Sequence, residues 1–203
     1  KKNQKYNWSL IPLKMISTLK SNLENYAPNG SLKDHPQAAV LIICYEADGE
    51  LFIVMTQRSK NLPRHPGEVA YPGGKREKKD ESLIQTALRE ASEEIDLDES
   101  KIKIIGEIDT LKSRFGLSVT PFIAVADEKL ILKANSNEVE DIFYIPLSFF
   151  KNEPNISEKV TNFKGETFKT PVFNFEKYKI WGLTLAFTIN FLDLLDIKFD
   201  YDL

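Results

Sequence analysis

The chain is predicted to fold as an α/β sandwich, a mixed β-sheet held between one internal helix and a C-terminal helix. Two β-rich runs, Gln37–Tyr45 and Glu50–Gln57, supply the first strands, and Glu46-Ala47-Asp48-Gly49 between them is a hairpin signal. Ile84, Ala87, Leu88, Ala91 and Ile95 recur at helical spacing, and so do Trp181, Leu185, Ile189 and Leu192. With 203 residues, 42% of them hydrophobic, one domain with a sizeable core is expected. We assign it to residues 34–203, preceded by an N-terminal helical extension, 1–33.

In chain order, residues 1–8 are polar and expected to fray. Leu13, Ile16, Leu19 and Leu23 predict a helix from about Ser9 to Tyr26, closed by Pro28-Asn29-Gly30 and packed on the domain or on a second subunit; a homodimer is one arrangement this allows. Asp34-His35-Pro36 leads into the hairpin, whose second strand delivers Arg58 to one end of the sheet. Residues 58–70 form a basic loop with Arg58, Lys60, Arg64 and His65. After the internal helix, Lys101–Thr110 and Leu117–Ala126 read as strands around an Arg114-Phe115-Gly116 turn. Lys129–Lys133 and Pro171–Phe175 read as further strands, and Tyr178–Asp196 as the last helix, its Trp and Leu stripe facing the core.

A net charge of −3 and a pI near 5.6 argue against a general nucleic-acid binder. The single cysteine, Cys44, lies in the apolar run Ala38–Tyr45 and reads as a small buried hydrophobe. The longest apolar stretch, Gly182–Leu192, is too short to span a bilayer. An intracellular, soluble protein is therefore expected, in the cytoplasm or, in a eukaryote, in a peroxisome or mitochondrion.

The chemistry concentrates at the far end of the internal helix. At about 100° per residue, Glu93 and Glu94 fall on either side of Glu90, so three carboxylates share a face beside the apolar one and are expected to stay exposed. Like charges at this spacing cost a helix a few tenths of a kcal/mol per pair. A hard divalent cation relieves that repulsion, and oxygen ligands suit magnesium, which also takes up substrate phosphates. A solvated acidic face is the simpler alternative for a Glu-rich helix taken alone. The preceding loop shifts the balance: Gly73 and Gly74 let a backbone approach a bulky ligand, and Lys75 and Arg76 place positive charge beside the acids. Asp80 or Ser82 can cap the helix.

These residues resemble the Nudix hydrolases, whose signature is G-x5-E-x7-R-E-U-x-E-E-x-G-U, with U aliphatic. Glu81, Arg89-Glu90-Ala91, Glu93-Glu94-Ile95 and Leu97 match it. Six residues rather than five separate Gly74 from Glu81, and Asp96 replaces the late glycine. Upstream, Val54-Met55-Thr56-Gln57-Arg58-Ser59, Gly67 and Tyr71-Pro72-Gly73-Gly74 resemble the coenzyme A diphosphatase branch, with Pro63 in the slot of its second arginine and Arg64 one residue later. Ser118–Phe122 and Ile180–Thr184 look like the same branch, and the resemblance covers about residues 37–195.

The resemblance implies the Nudix fold and a pyrophosphohydrolase. Mg²⁺ or Mn²⁺ would sit on Glu90, Glu93 and Glu94, and Arg89 would orient a carboxylate. Glu81 would support the loop or a second metal. Glu138, in a segment resembling the family's glutamate-bearing loop, is the candidate for the acid that loop carries toward the metal site, with Glu140 second; the general base is Glu90, Glu94 or Glu138. Arg58, Arg64, Gly73, Gly74 and Lys75 would bind substrate. Coenzyme A or acyl-CoA is the implied substrate, cut to 3′,5′-ADP and (acyl-)4′-phosphopantetheine. The alternatives are another nucleoside diphosphate derivative, such as NADH, ADP-ribose or a dinucleotide, and a non-catalytic Nudix-like binding module.

Overall fold

The structure, a computed structural model, describes residues 12–29, 36–151, 156–163 and 166–198. The polar stretch 1–8, the expected helix start at Ser9 and the pair Asp34-His35 lie outside them.

Strands β1 (Gln37–Ala47) and β2 (Glu50–Arg58) form the expected hairpin. Its turn has φ of 50° at Asp48 and 83° at Gly49, the paired left-handed conformation that Asp-Gly adopts readily and that suits strand twist. The two strands pair only between Cys44–Ala47 and Glu50–Ile53, and then part. Into this fork come β3 (Val69–Ala70), paired with β2, and β4 (Gly73–Lys75), paired with β1 at Ala38–Val40. The Leu41 N–H donates to the Pro72 carbonyl at 2.8 Å and ties the turn between β3 and β4 into the fork.

On the other side of β1, β7 (Ser118–Ala126) runs parallel to it, with Gln37 opposite Ser118 and Tyr45 opposite Ala126. Strands β5 (Ile102–Glu107) and β6 (Leu111–Lys112) pair antiparallel with β7, and β8 (Val139–Pro146) pairs antiparallel with β2. Among the described residues these eight strands make one mixed sheet.

Alternation along β1 divides the core. Ala39, Leu41, Ile43 and Tyr45 pack with Ala87, Ala91 and Ile95 of helix α2 (Leu83–Ile95). Ala38, Ile42 and Cys44 face the other way, into a core shared with Leu19 of α1 (Pro12–Glu24) and Leu185 and Phe191 of α3 (Gly182–Asp193). The sheet is thus sandwiched between α2 and α3, as the order of elements predicted. Cys44 is fully buried, and burial pushes its thiol up to about 12. Helix α1 packs on this domain: Leu19 is buried, and Asn22 Nδ2 donates to the Leu194 carbonyl at 2.7 Å. Among the described residues no helix is long and apolar enough to cross a membrane.

Three elements differ from expectation. Residues 178–181 are a strand, β11 (Tyr178–Trp181), and the last helix begins only at Gly182. Tyr178 and Ile180 are buried while Lys179 is exposed, a two-residue alternation, and Gly182 turns the chain into α3 at φ 61°, a left-handed conformation that suits glycine. Pro171–Phe175 is the end of a longer strand, β10 (Glu166–Phe175), which pairs with β9 (Ile156–Phe163) and β11 in a second, three-stranded sheet. Lys129–Lys133 is not a strand, and Ile131 is fully exposed. The backbone there serves the end of α2 instead: the N–H groups of Lys133 and Asn135 donate to the carbonyls of Ile95 and Glu94 at 3.0 and 2.9 Å, which would otherwise lack partners.

Candidate active site

Helix α2 starts behind Ser82, whose Oγ accepts from the Gln85 N–H at 3.2 Å. Of the two candidate caps, Ser82 is the one used. The helix stops at Asp96, held in the left-handed region at φ 54°; this is the late-glycine slot of the signature, and Asp visits that region more readily than most residues.

Asp80 does something else. It is buried, and its carboxylate receives Arg89 Nε and Nη2 at 3.0 and 3.1 Å, the Glu77 N–H at 2.8 Å and Thr86 Oγ1 at 2.9 Å. The Arg89 hydrogen bonds, with help from Glu77 and Thr86, hold it well below the usual carboxylate range. Five residues separate Gly74 from Asp80, so the loop spacing of the signature ends on Asp80. Glu81 is exposed, and its backbone carbonyl, not its carboxylate, receives Arg76 at 3.2 Å. The support expected of Glu81 comes from Asp80. Fixed in this way, Arg89 reaches Glu90 Oε1 at 2.9 Å, Glu93 Oε2 at 3.2 Å and the Lys75 carbonyl at 3.1 Å.

Glu94 lies on the other flank of Glu90, under the fork in the sheet. It is only 3% exposed, so the expectation that all three acids stay in solvent is corrected for this one: α2 packs against β4, and the glycine turn covers its side chain. The Gly73 N–H donates to Glu94 Oε2 at 3.0 Å, and Arg58 Nη1 lies 3.7 Å from Oε1. Burial pushes Glu94 up to about 7; Gly73 and Arg58 pull against this shift, whereas Glu90 and Glu138 add to it. Glu90 is also raised, first by burial, against Arg89 and with Glu93 and Glu138.

Both glycines of the turn are closely packed, and only Gly73 meets backbone. A Cβ on Gly73 would strike the Ala39 carbonyl and Val40 Cα, and one on Gly74 would strike the Glu90 carboxylate. Glu138 is brought to the cluster by the segment that caps α2, since its N–H donates to the Asn135 carbonyl at 2.9 Å and its own carbonyl accepts from Ser59 at 2.8 Å. Glu140 is turned away, paired with Lys60 at 2.7 Å. In the basic loop, Arg58 faces Glu94, Arg64 and Lys75 are exposed, and His65 Nδ1 lies 2.9 Å from Glu68 Oε2.

The cluster therefore joins Glu90, Glu94 and Glu138 to a Gly-Gly turn and an arginine, and the comparison with known sequences decides its family: a model of the NUDIX domain matches residues 35–162. The chain belongs to the Nudix family. This Nudix chain is 37% identical over 161 residues to the mitochondrial Nudix hydrolase 15 of Arabidopsis thaliana, covering 76% of the chain and 56% of that protein. It is 32% identical over 157 residues to the Nudix hydrolase NudL of Photorhabdus laumondii, covering 77% and 84%. A crystal structure of a C. elegans Ap4A hydrolase aligns at TM-score 0.47 and 20% identity, over 56% of this chain and 81% of that one, too distant to bear on substrate.

Nudix hydrolases use divalent ions, and the oxygens present test the fit. Among the described residues no three acidic, histidine or cysteine side chains are gathered closely enough to ligate one ion as they stand. Arg89 draws Glu90 and Glu93, and the Gly73 N–H holds Glu94. The donor chemistry fits nevertheless. Every candidate ligand is a hard oxygen, and the raised proton affinity of Glu90 and Glu94 is the response of desolvated, mutually repelling carboxylates to too little positive charge. Sequence reasoning missed the bond of Asp80 to Arg89 in this Nudix domain; the five-residue spacing from Gly74 was the available signal.

Proposed function

We propose that the chain hydrolyses the pyrophosphate bond of a nucleoside diphosphate derivative, with Mg²⁺ or Mn²⁺ held by Glu90, Glu93 and Glu94. Coenzyme A or an acyl-CoA is our first substrate, giving 3′,5′-ADP and 4′-phosphopantetheine or its acyl form. The observation that carries the reading is Glu94, a carboxylate buried beneath the Gly-Gly turn beside two further acids. Such an arrangement is costly unless a cation compensates it.

When bound, the cation supplies positive charge to the phosphates and makes a bound water easier to deprotonate. The rest falls to this chain's own residues. Arg89, clamped by Asp80, fixes Glu90 and Glu93. Gly73 fixes Glu94. We assign Arg58, Arg64, Lys75 and the backbone of Gly73 and Gly74 to the diphosphate, arginine being suited to bidentate contact. Glu138 is our first candidate to take the proton from water, because its side chain forms no salt bridge among the described residues while its charge is felt by both Glu90 and Glu94. Glu90 and Glu94 are the other candidates.

Support for coenzyme A comes from the residues between Val54 and Gly74. Pro63, in a slot where that branch has arginine, favours the second reading, a substrate without a 3′-phosphate such as NADH or ADP-ribose. Incubation with coenzyme A, NADH, ADP-ribose and dGTP in Mg²⁺ separates them. Coenzyme A should be cleaved fastest; faster cleavage of NADH removes it as first choice. Binding of coenzyme A without cleavage of any of the four makes the chain a binding module.

A further inference from the structure

Phe115 presents its ring to solvent, 82% exposed, at the tip of the turn between β6 and β7. The turn between β6 and β7 is closed by three hydrogen bonds, from Ser113 N–H to the Leu117 carbonyl at 2.8 Å, from Gly116 N–H to the Ser113 carbonyl at 2.9 Å and from Leu117 N–H to Ser113 Oγ at 3.0 Å. Gly116 has φ 78°, so the tip turns through a conformation suited to glycine. Phe115 is therefore presented by a pre-ordered scaffold.

Its ring neighbour comes from a different loop. The ring of His65 meets Phe115 edge to face, with centroids 5.8 Å apart and planes at 70°. His65 is held by Glu68 and by a left-handed backbone, φ 55°, a conformation histidine adopts more readily than most residues. Arg58 N–H donates to the Glu68 carbonyl and Gly67 N–H to the Arg58 carbonyl, which closes the base of the His65 loop beside the guanidinium that faces Glu94. Both loops lie at the Gly73–Lys75 end of the sheet, where β1 sets Gln37 opposite Ser118 and Ala38 opposite Lys75.

We infer that the Phe115 ring, braced edge-on by His65, is a stacking seat for the adenine of a nucleoside diphosphate substrate whose diphosphate lies at the Glu94 end of the same loop. Every base offers a π-face to such a ring. The inference rests on the proposed function only in requiring a substrate that carries an adenosine diphosphate, a part common to coenzyme A, NADH and ADP-ribose.

The test is calorimetric titration of the whole chain with ADP and with inorganic pyrophosphate in Mg²⁺, for the unaltered protein, F115A and F115Y. Loss of a stacking aromatic weakens base binding on the order of tenfold or more. F115A should lose about that factor for ADP and none for pyrophosphate, and F115Y should keep both affinities. With a cleaved substrate, the KM of F115A should rise while kcat holds. Unchanged ADP affinity in F115A overturns the inference, and so does an equal loss for ADP and pyrophosphate, which would mean the turn acts by shaping the diphosphate site. An unaltered chain that binds neither ligand overturns both this inference and the proposed function. ADP binding that depends on Phe115, in a chain that cleaves none of the four substrates, defeats the proposed function alone.

Discussion

Arg89 and Glu94 stand little more than one turn apart on α2, yet the charges around them follow opposite rules. At Arg89, a buried acid and a guanidinium meet at 3.0 and 3.1 Å, a backbone N–H and a hydroxyl complete the acid's hydrogen bonds, and Asp80 is held ionised. At Glu94, burial and two neighbouring acids raise the proton affinity, and one N–H with a more distant Arg58 offsets only part of it. The first cluster is complete within the protein. The second is left short of positive charge, the condition that suits a cation-binding site. One helix thus carries a structural anchor beside the cluster we propose as the catalytic centre.

Substitutions on the two flanks should separate these roles. The largest effect is expected from Glu94→Gln, which keeps an acceptor for Gly73 and removes the charge. Turnover in Mg²⁺ should fall by about 10²–10⁴-fold, the usual loss for a positioned ionisable group, while thermal unfolding without metal occurs no lower than in the unaltered protein. Undiminished turnover would make the acidic flank ornamental. Asp80→Asn should show the reverse balance: a pronounced drop in Tm, because Arg89 loses its main partner, with activity falling secondarily as Glu90 and Glu93 loosen.

The Asp80 effect carries a pH signature. Its proton affinity is lower in the folded chain than in the unfolded one, so its stabilisation is fully present above the ordinary carboxylate pKa of about 4 and is lost as pH falls further. The gap in denaturant midpoint between the unaltered protein and Asp80→Asn should be full at pH 7 and narrower at pH 3. The smallest effect is expected from Glu81→Ala. Its exposed side chain should leave Tm and turnover unchanged, and a marked loss would return to Glu81 the role assigned to Asp80.

The parts of this design legible in the sequence were those with a period. The hairpin, the α2 stripe and the two buried layers followed from alternation, from helical spacing and from an Asp-Gly turn. Glu94 looked exposed because a helical wheel does not show what covers its far end, and the covering Gly-Gly turn is placed by β1 and β4, distant in sequence. Asp80 looked like a cap because an acid just ahead of a helix is a good one, and only the fold-back of residues 76–80 turns it toward Arg89. Strand β11 is hidden in the sequence because Trp181, Leu185, Ile189 and Leu192 satisfy helical spacing by themselves; Gly182 marks the break. The second sheet is not legible in the sequence because β9, Ile-Ser-Glu-Lys-Val-Thr-Asn-Phe, lacks a clear apolar face.

The parallel pairing of β1 with β7 has a consequence for how the molecule comes into being. Gln37 cannot find Ser118, nor Glu94 its neighbour Glu138, until the chain has been synthesised well past α2. A nascent polypeptide that has only just released this helix from the ribosome therefore has the Gly-Gly turn that covers Glu94 but not yet Glu138. Contacts so remote along the chain form more slowly than the local hairpin of β1 and β2.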